Sequence, residues 1–488
     1  MTRFKLIGLV VAFVVLFIFL ILPPLGAVTP LGMKTVGVLI FTIILWIAEP
    51  VPIGVSCFLT LALWVVVGSM TATASFAYLG HYINLFLIGG FGIAAALYTT
   101  GAAKRYALSI LNIPFVRRSP YMLIMGFFVG ACLLSSFSSN TATTVIFVSF
   151  ALPLIDALGL KKGHSFAAML LLMVAFAGSV GGSGTPIGCV INPIIIGMMD
   201  NMFKYKMTFI PWTIFGYSII ITCTIVAYFV VRYINRPDVS AVKGASGPYL
   251  QDELRKMGPM TGGEKLAWAF LGLAIFLWVI PDPLAAIAPD LRKALGDSLN
   301  WGTTALIVAF IMCLVPINIK ERKMLLTMRD WWAQTDLGVL SLVAVCMALG
   351  DILQRADMGI SAGLTAVFQP MVAGLPIWGW ILVMGIIPAI ITNFMSNTAV
   401  AVMFTSIFSP LSASLKIGNP VAFAAASARS ASMAIAFPSA TTCTAVVYGS
   451  GYIPIPYGLR HGFLMMIPIS IVTAFVGYYV AAAVFPWP

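Results

Sequence analysis

Long apolar runs alternate along this chain with short clusters of charge, glycine and proline. Runs of roughly 17–20 apolar residues are long enough to cross a bilayer. They predict spans at about 5–23, 33–49, 53–70 and 82–103. Glu49-Pro50-Val51-Pro52 separates the second from the third, because proline breaks a helix. Gly89-Gly90 and Gly92 in the fourth allow close helix approach.

Two stretches depart from simple spans. Segment 119–158 is bracketed by Arg117-Arg118 and Lys161-Lys162, which puts both ends on one side. Its middle is Ser138-Ser139-Asn140-Thr141-Ala142-Thr143-Thr144. Hydropathy alone permits two full spans meeting at a polar loop, or a re-entrant hairpin that buries its tip. The next run, about 165–199, is too long for one span and is interrupted by glycines from Gly178 to Gly188. Unwound backbone at membrane depth is tolerated only where it is buried in protein or lines a cavity. That favours the hairpin, with tip and break facing each other around one site. A sixth span follows at about 208–232.

The pattern then recurs. After a polar stretch at 236–265 come spans at about 266–281, 303–319 and 337–353, and a second candidate hairpin at about 377–414. That hairpin holds Met395-Ser396-Asn397-Thr398-Ala399-Val400. An interrupted helix at about 419–448, broken near Pro438-Ser439-Ala440-Thr441-Thr442, precedes a last span at about 461–485. Ser396 follows Ser139 by 257 positions, as Thr442 follows Thr185. With the first span set aside, each unit makes five crossings, an odd number, so the second unit lies inverted. Inverted repeats with broken helices meeting at the midplane are a secondary-transporter pattern. The expectation is an all-α polytopic membrane protein of about 11 transmembrane helices. It has inverted repeats, two re-entrant hairpins and two broken helices. The first repeat is 1–235, with scaffold helices in 1–118 and hairpin and transport helices in 119–235. A cytoplasmic linker at 236–265 leads to the second repeat, 266–488, divided into 266–376 and 377–488.

Composition supports this. Of 488 residues 61% are hydrophobic and 9% charged, which excludes a soluble domain. Arg3 and Lys5 precede about 17 apolar residues, more than the roughly 7–15 of a signal-peptide core, so this run is read as a retained helix. A net charge of +12 in a soluble protein would suggest nucleic acid. Here it fits basic residues gathered in cytoplasmic loops, and no nucleic-acid partner is expected. With the N-terminus inside, 19 of the 27 Lys and Arg fall in cytoplasmic segments, although Lys204, Lys206, Arg292 and Lys293 fall outside. The seven cysteines lie in apolar segments without metal-ligand spacing and read as core residues. His81, His164 and His461 are scattered, and Asp156, Asp200, Asp351 and Asp357 sit near span ends as interfacial residues. No nucleophile–base grouping is evident, so no enzyme is expected.

Each Ser-Asn-Thr cluster offers hydroxyls and an amide but no fixed charge. Amide and backbone carbonyl oxygens are hard ligands suited to an alkali cation. Hydroxyls, amide N–H groups and helix N-termini suit a carboxylate. Two facing half-sites suit an anion with two charged ends. Polar loop tips, or hydrogen bonding between helices, would give the same composition.

These residues resemble the paired signature of the divalent anion/sodium symporter family, which carries di- and tricarboxylates or sulfate. Glu49-Pro50-Val51-Pro52 is similar to its Glu-Pro-x-Pro element. Gly181 to Gly188 resembles its glycine-rich break, and Ala440-Thr441 with Tyr448-Gly449-Ser450-Gly451 its second break. The resemblance covers nearly the whole chain. It implies a homodimer in the plasma (inner) membrane, a scaffold with a mobile elevator domain, sodium as coupling ion and no other cofactor. The first sodium would use Ser135, Ser139, Asn140 and Gly188, and the second Thr392, Met395, Asn397 and Ala440. Substrate would meet Ser139, Asn140, Thr141, Cys189, Ser396, Asn397, Thr398, Thr441 and Thr442. The expected cargo is a C4-dicarboxylate-like anion. A sodium-independent exchanger of the same fold, a sulfate carrier and an anion channel are the alternatives. The double proline and Asn that often follow each break are reduced here to Asn192 after the first and are missing after the second.

Arg429 also departs from the family pattern. It is expected two to three turns before the second break, opposite Leu172 at the repeat offset. A charge at that depth is costly and usually functional. It reads as an anion-attracting or cation-replacing charge, or as a side chain snorkelling outward or pairing with a carbonyl.

Overall fold

A computed structural model describes residues 2–242, 246–372 and 374–487, which form a helical bundle with one short strand pair, Pro316–Asn318 with Lys323–Met324. Among the described residues nine helices are long and apolar enough to cross a membrane. The first, Arg3–Ile21, exposes Phe4, Leu6, Ile7, Val10 and Phe17, a surface suited to lipid.

Both expected hairpins are present. The first pairs Pro120–Ser135 with Asn140–Ala157, and the second Ile377–Ile391 with Asn397–Leu415. Their leading arms of 16 and 15 residues rise about 24 and 22 Å, short of the roughly 30 Å hydrocarbon core. The chain turns back at each Ser-Asn-Thr cluster, and both clusters line a cavity between the hairpins and the first break. Beside each hairpin stands a broken helix: Ser165–Gly181 with Ile191–Phe203, and Pro420–Ser430 with Thr442–Gly449.

The second break differs from expectation. It opens at Ala431, before Pro438, so Arg429 lies in the last turn of its half-helix rather than two to three turns earlier. At this end Thr392 Oγ1 donates to the Ala431 carbonyl at 2.6 Å, tying the hairpin to the half-helix terminus.

The two units repeat their packing. Tyr82–Thr99 lies against Trp301–Leu314, and Leu337–Gln354 against Ile53–Val66, the same contact with the units exchanged. Each hairpin's leading arm packs on its own broken helix, and Phe209–Phe229 joins Ile455–Val484 across the halves. Three of the aspartates near span ends tie elements together, Asp156 to Tyr452, Asp200 to Tyr82 and Asp351 to Tyr78, while Asp357 pairs with Arg355 two residues away. All seven cysteines are free.

The polar stretch 236–265 contains a helix, Ser246–Lys256, and is docked. Asn112 Nδ2 donates to Leu250 O at 2.7 Å, and Arg105 donates to the Glu264 carboxylate at 3.0 Å and to Gly258 O at 2.8 Å. Asn112 and Arg105 belong to an amphipathic helix, Ala102–Leu111, and its C-terminal cap, which hydropathy did not mark as a separate element.

Candidate functional site

The first tip is held by its own hydroxyls. Ser136 Oγ donates to Cys132 O at 2.9 Å and to Gly181 O at 3.0 Å, fastening the tip to the first break. Thr185 Oγ1 closes the same joint by donating to Ser136 O. None of the glycines from Gly178 to Gly188 has a positive φ. They serve close approach instead: a Cβ on Gly181 would stand 2.4 Å from Cys132 O.

A set of oxygens converges here. The Asn140 side-chain oxygen lies 2.8 Å from Ser135 Oγ and 3.1 Å from both Gly178 O and Gly188 O. Two arrangements satisfy these atoms: a cation among them, or the amide turned so that its N–H₂ donates. Ser135 Oγ also donates to Gly178 O at 2.8 Å.

The second tip repeats part of this. Thr392 Oγ1 is 2.6 Å from Asn397 Oδ1 and 2.6 Å from Ala431 O. Thr392 thus stands where Ser135 does, and Ala431 where Gly178 does. Met395 and Ala440 line the adjoining space with Asn397. Gly178 and Ala431 were not foreseen as oxygen donors to these sets. Asn393 was also missed: it donates to Ala389 O at 2.8 Å and accepts from Ala436 N–H at 3.2 Å, pinning the second break as Ser136 pins the first. A signal existed in Ser135-Ser136-Phe137-Ser138-Ser139-Asn140-Thr141 and Thr392-Asn393-Phe394-Met395-Ser396-Asn397-Thr398, which align with the phenylalanine in register.

The tips share one cavity of about 380 Å³, lined by Ser139, Asn140, Thr141, Cys189, Asn397, Thr398 and Thr442. A neighbouring cavity of about 520 Å³ takes in Ser396, Ala440 and Thr441, so all nine residues expected to meet substrate lie here. Thr141 and Thr442 hydroxyls are hydrogen-bonded to each other. Thr185 and Thr442, paired by sequence offset, occupy different places: Thr185 is buried inside its break, Thr442 exposed at the cavity. Ala431 stands where Gly178 does, an offset of 253 against 257 at the tips, so the register has already shifted by four residues before the breaks.

Four helix N-termini reach this space, at Asn140, Ile191, Asn397 and Thr442. The first three lack a side-chain cap; at Asn140 and Asn397 the first-turn N–H groups have no intrahelical partner, whereas at Ile191 the Asn192 N–H donates to Cys189 O at 3.2 Å. Such ends bind anions. At the mouth stand Lys5, Glu49 and Asp336, and Asp336 Oδ1 is engaged by Gly338 N–H at 2.8 Å.

Arg429 is fully buried. It does not reach the surface, and among the described residues it donates to no carbonyl. Nη1 donates to Ser183 Oγ at 3.3 Å, and Nη1 and Nη2 each to Cys189 Sγ at 3.5 Å. Its repeat partner, set by the Thr392–Ala431 and Ser135–Gly178 bonds, is Phe176 rather than Leu172.

A family model described as the sodium:sulfate symporter transmembrane region matches residues 3–487. The chain belongs to this family. Among its relatives is the sodium-dependent dicarboxylate transporter SdcS of Staphylococcus saprophyticus, 28% identical over 471 residues that cover 93% of this chain and 88% of that protein. Sodium-dependent high-affinity dicarboxylate transporter 3 of Caenorhabditis elegans is 26% identical over 449 residues, covering 84% and 76%. The crystal structure of the Alcanivorax borkumensis YdaH transporter has the same fold, with a TM-score of 0.58 over 100% of this chain and 99% of that one, at 14% identity.

Proposed function

We propose that this protein is a secondary active carrier that moves a small dicarboxylate across the membrane together with sodium. The observation that carries the reading is the convergence of both Ser-Asn-Thr tips and four helix N-termini on one cavity. Uncapped N–H groups, hydroxyls and amides give an anion with two carboxylates a partner at each end. The relatives named as sodium-dependent dicarboxylate transporters support the choice of cargo and ion.

Sodium sits in the oxygen set of Ser135, Asn140, Gly178 and Gly188, with Ser139 beside it. A second ion sits with Thr392, Asn397 and Ala431, next to Met395 and Ala440. Cations held there neutralise repulsion between incoming carboxylates and surrounding carbonyls, which couples the two bindings. The hairpins and broken helices move as an elevator against the scaffold, within a homodimer. Gly197 and Gly350 at their contact leave no side chain to obstruct sliding; a Cβ on Gly197 would meet Met347 Sδ at 2.2 Å. With Lys5 on the cytoplasmic side, the cavity is in an inward-facing state, its far end held by Tyr82 with Asp200 and by Asn201 Nδ2 donating to Met347 O at 3.0 Å.

Purified protein in liposomes tests this. An inward sodium gradient should drive succinate accumulation, and replacing sodium by potassium or choline should abolish it. Sodium-independent counterflow would overturn symport in favour of exchange.

A further inference from the structure

The buried guanidinium of Arg429 is unusual in three respects. It is fully buried at the end of a half-helix, in a segment without an acidic residue. Among the described residues no carboxylate pairs with it. Its Nε has no hydrogen-bond partner, and its other bonds go to two neutral groups, the Ser183 hydroxyl and the Cys189 thiol. A buried cation without a counter-ion is costly, and breaking such pairs is strongly destabilising elsewhere. The half-helix C-terminus relieves part of that cost through its partial negative charge.

The position of Cys189 decides where the missing anion belongs. Cys189 lines the cavity with Asn140, Thr141 and Thr398, while Arg429 stands directly behind it. The thiol donates onward to Asn192 Oδ1 at 3.3 Å, and Asn192 is itself fixed to Gly182 O and Thr185 O at 2.7 Å. Arg429 is therefore anchored to the first break, one side chain away from whatever fills the cavity.

We propose that Arg429 is a positioning residue that sets the preference for dianions. Its fixed charge behind Cys189 balances the second carboxylate of the bound substrate. This rests on the reading of the cavity as a dicarboxylate site. The charge comes from the second unit but acts at the first break, so the site is electrically lopsided although its tips are alike. One unit charge several ångströms away, at an effective dielectric near 20, changes affinity by about tenfold or more.

The test compares wild type, Arg429→Lys, Arg429→Gln and Arg429→Met in proteoliposomes. The readouts are the half-saturating concentration of succinate and the inhibition constant of monomethyl succinate, which keeps the four-carbon backbone but carries one charge. Arg429→Gln and Arg429→Met should weaken succinate about tenfold or more and monomethyl succinate about threefold or less. Arg429→Lys should keep the wild-type ratio between the two ligands. Equal losses for both ligands, or loss of the ratio in Arg429→Lys, would overturn the assignment and leave a packing role. If the two neutral variants fail to assemble, Arg429→Lys still decides by its ratio. Wild-type protein that binds neither ligand would overturn the dicarboxylate reading itself, and this assignment with it.

Discussion

The two half-sites carry the same Ser-Asn-Thr and are built differently behind it. At the first tip, Asn140 faces two carbonyls, Gly178 and Gly188, from both sides of a tight glycine-lined break. At the second, Asn397 meets Thr392, and the break beyond is longer, with Ser439 and Thr442 exposed. The following half-helix is also treated differently. Thr441 closes a capping box with Thr444, whereas Ile191 opens its half-helix with no side-chain cap. Duplication supplied a symmetric frame, and the units then diverged in charge and tightness at their breaks. The first half-site holds the fuller oxygen set and has Arg429 behind it; the second is looser and more open.

That comparison can be broken in order of expected effect. Asn140→Ala and Asn397→Ala should each lower sodium-driven uptake by about a hundredfold or more, with unfolding temperature little changed. Asn140→Ala should raise the sodium requirement more than Asn397→Ala in initial-rate titrations, because its oxygen set is larger. Equal sodium shifts would mean that the two sets are equivalent.

Gly181→Ala comes next. A methyl 2.4 Å from Cys132 O cannot be accommodated without moving the tip, so thermal unfolding should show a loss of about 1–3 kcal/mol. Ala434, three residues after Ala431 as Gly181 is after Gly178, already carries that methyl. Ala434→Gly should change stability by only about 0.5–1 kcal/mol. The smallest effect belongs to Thr441→Ala, which removes a cap worth about 1 kcal/mol. Uptake assays should show a few-fold rise in half-saturating substrate, with sodium dependence intact.

Much of this was legible in the sequence because hydrocarbon imposes a strict rule on polar groups. The tips, both breaks and the inverted duplication all announce themselves as small polar residues and glycine in apolar surroundings. Three features did not. The second break starts at Ala431, ahead of Pro438, and no proline or glycine stands there to signal it. Arg429 turns inward because Ser183 and Cys189, about 240 residues away, receive it. The helix Ala102–Leu111 is amphipathic and too polar for a span, so hydropathy merged it with the loop that the docked linker covers.

The central claim is that one anion touches both tips at once. Cryo-electron microscopy of the protein with sodium and succinate tests it most directly. The account predicts a single elongated density spanning Asn140-Thr141 and Asn397-Thr398, flanked by density for sodium beside Ser135 and Thr392. Succinate density confined to one tip, or lying outside this cavity, would contradict it.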